Sequence, residues 1–75
     1  MHAILRGQIL IEFLLRQGWS YHEFSQRANI SCGYLTQILT GKRRPSGKMR
    51  SKLMDATGMT FDQLFEIAHT NSETI

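Results

Sequence analysis

The stretch G-W-S-Y-H-E-F-S-Q-R-A-N-I-S-C-G-Y-L-T-Q-I-L-T-G-K-R-R-P-S, Gly18 to Ser46, reads as two short helices across a tight turn, with a basic loop behind them. Gly18 is placed to end a preceding helix as a C-terminal cap. Ser20 followed three residues later by Glu23 has the form of a capping box, in which hydroxyl and carboxylate each satisfy an exposed backbone amide. Phe24 and Ala28 then make an inward stripe, and this helix runs to about Asn29. Asn29 tolerates the left-handed conformation, Ile30 is apolar and Ser31 is an N-cap, so the next helix starts at once. It spans Cys32 to about Thr40 with Leu35, Ile38 and Leu39 apolar, and Gly41 stops it.

Outward from this stretch the same punctuation continues. Upstream, Leu5, Ile9, Leu10, Phe13 and Leu14 recur at helical spacing, which predicts a first helix from Ile4 to Gln17. Downstream, a loop from Lys42 to Ser46 holds the only proline. Ser46 caps a fourth helix that reaches about Thr57, Gly58 ends it, and Thr60 opens a short fifth helix with Phe61, Leu64 and Phe65 inward. No stretch alternates with period two over strand length. The expected fold is therefore all-α, five short helices in a single domain over 1–68, with a polar tail over 69–75.

Seventy-five residues suit one domain and exclude a multi-domain enzyme. Cys32 is the lone cysteine, so no internal disulfide forms, and no Cys or His spacing suits zinc; stability has to come from helix packing. No His-Glu-x-x-His motif and no carboxylate pair spaced for acid–base work is present, so neither catalysis nor a cofactor is expected. The apolar run Ile9 to Leu15, interrupted by Glu12, is far short of the roughly 20 residues that span a bilayer. These features imply no membrane association and a cytoplasmic, nucleoid-associated protein.

Net charge is +3, and its placement matters more than its size. Residues 1–41 carry +1. From Lys42 to Lys52 six basic side chains (Lys42, Arg43, Arg44, Lys48, Arg50, Lys52) and no acid give +6, while 53–75 carries −4. A concentrated basic segment attracts phosphate backbones through counterion release, and the acidic opposite end orients the domain on them.

Two helices joined by a short turn, the second with a polar face and a basic loop just behind, form the helix-turn-helix arrangement, whose second helix enters the major groove. Gly18 to Ser46 resembles the Cro/C1-type (XRE) helix-turn-helix family of phage and bacterial repressors, and M-T-F-D-Q-L-F, Met59 to Phe65, is similar to that family's last helix. The similarity covers roughly residues 8–67 and is most specific at the Ile30-Ser31 turn and at G-K-R-R-P-S. The resemblance implies a lambda-repressor-like domain that binds double-stranded DNA, with base-facing positions at Cys32, Gly33, Thr36 and Gln37 and Tyr34 alongside. Of these Gln37 is the good reader, since its amide can pair bidentately with adenine, whereas Cys32 is a weak donor and Gly33 offers nothing. Phosphate contacts would fall to Ser20, Tyr21, Thr40, Lys42, Arg43 and Arg44, aided by the amides of helix N-termini.

The chain departs from the family pattern in places. The position of Tyr21 is commonly Gln and that of Thr40 commonly Asn, so a hydroxyl stands in for an amide at both. An Arg in helix one and a Glu at the end of helix three, often paired in the family, are here Leu14 and Leu39. Apolar packing in place of an ion pair is often neutral or stabilising because no charge is desolvated.

The reading that follows is a transcriptional repressor or regulator that acts by occupying an operator, as a homodimer on DNA. Ile11 and Leu15, four apart on a helix one with too many apolar residues for one inward stripe, form a candidate dimer patch, and helix five with the tail, which related domains use for pairing, is a second. Two other readings stay open: the antitoxin of a toxin–antitoxin pair, and a protein-interaction module that has lost DNA binding. A toxin or an antirepressor would be the protein partner.

Overall fold

Hydroxyl side chains open four of the five helices in a computed structural model that describes residues 2–68. The order is β1 (His2–Leu5), α1 (Gly7–Gln17), α2 (Tyr21–Ala28), α3 (Cys32–Leu39), α4 (Gly47–Thr57), α5 (Phe61–Leu64) and β2 (Phe65–Ala68). Ser20, Ser31, Ser46 and Thr60 accept from the backbone N–H of Glu23, Tyr34, Met49 and Gln63 at 3.1, 3.0, 3.3 and 3.3 Å, satisfying amides that a helix start leaves orphaned. Gly18 and Gly58 end α1 and α4 in the left-handed conformation, and Asn29 ends α2 at φ 59°. The expected polar tail over 69–75 lies outside the described residues.

Local signals misled in two places. Ser20 caps α2, but the Glu23 carboxylate does not return the bond; it pairs instead with Arg27 one turn on, at 3.1 Å. The reciprocal box forms at α5, where Gln63 Oε1 accepts from the Thr60 N–H at 2.9 Å. The second difference is the start of the chain. The first helix begins at Gly7, not Ile4, because residues 2–5 form a strand antiparallel to β2, with His2 opposite Ala68 and Leu5 opposite Phe65. Among the described residues the fold is thus helical with one small two-stranded sheet.

Arg6 fixes the junction. Its N–H donates to the Leu64 carbonyl at 2.8 Å, its Nε to the Phe65 carbonyl at 3.1 Å, and its Nη1 meets Glu66 Oε1 at 3.0 Å. A helix cannot run through a residue whose backbone and side chain are both bound to the far end of the domain.

The core is a single cluster. Leu10, Phe24, Leu35, Leu53, Leu64 and Phe65 are fully buried, with Leu5, Leu14, Ala28 and Ile38 nearly so. Phe13, Trp19 and Phe24 meet in edge-on and stacked pairs, and Phe61 stacks on Phe65. Leu14 lies in this core and Leu39 packs against it, as expected for positions where an apolar pair replaces an ion pair. Ser25, the one buried polar residue among those described, donates its hydroxyl to the His22 carbonyl at 2.7 Å. With α2 packed on both α3 and α4, the inner face of α3 is fixed by Leu35 and Ile38 and its outer face is left to solvent.

Candidate nucleic-acid interface

The alternation along α3 decides which side chains are free to meet a partner. Leu35 and Ile38 are buried, while Gly33, Thr36, Gln37 and the cap residue Thr40 are exposed and Cys32 and Tyr34 are half-buried. The residues assigned to base reading therefore share one helix, with Thr36, Gln37 and Gly33 fully outward. Nothing lies within 4 Å of where a Gly33 side chain would begin, so the helix presents bare backbone there.

Hydroxyl chemistry on this face is partly committed. Thr36 Oγ1 donates to the Cys32 carbonyl at 3.0 Å, and Thr40 Oγ1 to the Thr36 carbonyl at 2.9 Å. Each hydroxyl has spent its proton on the preceding turn, so each turns acceptor lone pairs and a methyl group outward.

The end of α3 is closed by a Schellman motif. Gly41, at φ 81°, lets its own N–H donate to the Ile38 carbonyl at 3.2 Å and the Lys42 N–H to the Gln37 carbonyl at 2.9 Å. The Arg43 N–H adds a bond to the same carbonyl at 3.2 Å. The chain is thereby folded back over Gln37, and the Arg43 side chain completes the contact: its Nε donates to Gln37 Oε1 at 2.8 Å, and its guanidinium carbon stands 5.4 Å from the Tyr34 ring centroid. In the sequence Arg43 stands with the loop cations and nothing links it to Gln37, because the two are six apart and meet only through the turn at Gly41.

The basic segment divides by use. Lys52 Nζ donates to the Asn29 carbonyl at 2.9 Å and Arg50 Nη1 to the Pro45 carbonyl at 3.2 Å, so these two tie α4 to the α2–α3 turn and to the loop. Lys42, Arg44 and Lys48 are exposed, and their side chains make no hydrogen bond or ion pair to another described residue. At the start of α2, Ser20 is committed as a cap, while Tyr21 is exposed. Ile11 is half-buried and Leu15, at 76% exposed, is the most open large apolar side chain described. No helix among the described residues is long and apolar enough to cross a membrane.

Two capped helices about a left-handed turn, the second carrying an open polar face beside unpaired cations, define a helix-turn-helix protein. The family model for the helix-turn-helix matches residues 10–64. The chain belongs to that family, the Cro/C1-type DNA-binding transcription regulators. The matched segment begins after β1 and ends just before β2, so the sheet is built from residues that flank it on both sides. No curated protein and no solved structure matches the chain.

Proposed function

We propose that the protein is a sequence-specific repressor that occupies an operator by laying α3 in the major groove of double-stranded DNA. The observation that supports it is the outward set of Gly33, Thr36 and Gln37 on a helix whose opposite face is locked into the core. Lys42 and Arg44, with Ser20 and Tyr21, hold phosphate oxygens on either side of that groove, Thr40 joins them by turning its hydroxyl proton from the Thr36 carbonyl to the phosphate, and the N-terminal amides of α2 add donors. Repression follows from occupancy alone. Enrichment of bound sequences from a random pool, followed by mobility shift on the enriched site, tests the reading; binding no tighter than to random DNA would remove it.

Within that site Gln37→Ala is expected to cost about 1 to 3 kcal/mol on the enriched sequence and to relax preference at one base pair. Random DNA should be bound almost as before. Equal losses on both kinds of DNA would move Gln37 to the phosphate-holding class.

A helix of eight residues reads only a few base pairs, and modules of this kind pair across half-sites about 34 Å apart. The protein therefore acts as a homodimer, with Ile11 and Leu15 on α1 as the contact patch. The double substitution Ile11→Glu, Leu15→Glu is expected to give monomers in sedimentation while keeping the melting behaviour of the parent, since neither side chain belongs to the core cluster. A variant that dimerises normally would shift the interface elsewhere, with Ile4 and Ile67 on the sheet, 39% and 55% exposed, the next surface to test.

A further inference from the structure

An Arg Nε–H can only donate, so the Gln37 atom 2.8 Å from Arg43 Nε has to be the carbonyl oxygen, and this fixes which way the amide faces. The Gln37 Nε2 group is left to point away from Arg43 as a pure donor. Beside it the Arg43 guanidinium still has its Nη1 and Nη2 protons. The pair thus offers donors and a positive charge to whatever approaches. Adenine shows N7 as acceptor and N6–H₂ as donor, and reading it bidentately takes both ends of a glutamine amide. With one lone pair of the amide oxygen taken by Arg43, the adenine N6–H₂ group would have to share that oxygen with the guanidinium and lie against its positive charge. Guanine shows two acceptors, O6 and N7, and suits a surface made of donors.

Resting on the operator-binding reading above, we infer that Gln37 and Arg43 act as one donor-rich, positively charged unit that selects guanine, with Arg43 determining specificity. Three features hold the unit in place: the Lys42 and Arg43 amides on the Gln37 carbonyl, the Nε–Oε1 bond, and the Tyr34 ring alongside the guanidinium. Arg43 then differs from its neighbour Arg44, which has no such tie and remains a phosphate contact.

The test is sequence enrichment from a random DNA pool with the full chain, for the parent and for Arg43→Ala, Arg43→Met and Arg44→Ala. Arg43→Met keeps an unbranched stem beside Tyr34, and thermal melting of each variant confirms that it is folded. The parent should enrich a site with guanine at a position where adenine weakens binding about 5- to 150-fold. Either change at Arg43 frees the Gln37 oxygen and should move preference at that position from guanine toward adenine. Arg44→Ala should weaken all sequences alike and leave the preferred base unchanged. Enrichment of adenine by the parent, or folded Arg43 variants that weaken every sequence equally, would overturn the inference while leaving operator binding intact. A parent that enriches no sequence at all would overturn both.

Discussion

Raising salt from about 50 to 200 mM should weaken DNA binding by the dimer roughly 10⁴-fold, with a log–log slope of about −4 per protomer. The size follows from counting the cations around α3 that are not tied to other parts of the fold. Arg6 is held by Glu66 and by backbone carbonyls, Arg27 by Glu23 and the Trp19 ring, and Arg50 and Lys52 by carbonyls of the fold. Apart from Arg16 at the end of α1, that leaves Lys42, Arg44 and Lys48, whose side chains have no partner among the described residues, and Arg43, whose bond to the neutral Gln37 amide leaves its charge uncompensated, around the end of α3 and the start of α4. Each condensed counterion they displace from DNA adds about 0.9 to the slope. Titration of a labelled site at four or five salt concentrations measures it. A slope near −1 would show that the loop does not dock on the backbone. Replacing Lys42 and Arg44 together with Ala should reduce the slope by about 2 per protomer, on random and preferred DNA alike.

The second large effect is on stability. Phe65→Ala is expected to cost about 3 to 5 kcal/mol, because a fully buried aromatic leaves both lost transfer energy and a cavity. Small domains hold only about 5 to 15 kcal/mol in total, so the variant should be partly unfolded at physiological temperature. Phe65 stands where α5 passes into β2, stacked on Phe61 and opposite Leu5, and its loss loosens helix and strand together. Ile67→Ala, two residues along the same strand but 55% exposed, should change stability by less than about 0.5 kcal/mol. Urea unfolding of both variants separates the outcomes. If the two cost the same, the sheet is not part of the cooperative core.

The contrast between Phe65 and its sheet also shows what could be read from sequence. Phe65 was legible as inward, and so were Ser31, Ser46, Thr60, Gly18, Asn29 and Gly58 at helix ends, because each acts through a neighbour three or four residues away. The strands were not. His2–Leu5 and Phe65–Ala68 are four residues each, too short to show alternation, and Ile4 and Leu5 continue the apolar spacing of α1. Their strand character comes from each other, across 60 to 66 residues. The same distinction divides the candidate site. The outward positions on α3 follow from its period, but the Arg43–Gln37 bond depends on the turn at Gly41, and the sequence shows only a cation six residues from an amide. Likewise nothing in the charge count tells Arg50 and Lys52, bound into the fold, from Lys42 and Arg44, which are not.

Pairing β1 with β2 also imposes an order in time. The contacts that make the DNA-reading unit lie within Ser20 to Arg43, so α2, its turn and α3 can assemble soon after the chain collapses. The sheet has to wait until the segment before the first helix finds the one after the last, and such long-range closure is slow to form, although doubling a loop costs only about 0.6 kcal/mol in free energy. Folding should therefore end with the closing of this sheet. During that interval a nearly complete reading head exists without its fastening, and the unpaired edges of β1 and β2 are the parts of a newborn chain most open to a wrong neighbour.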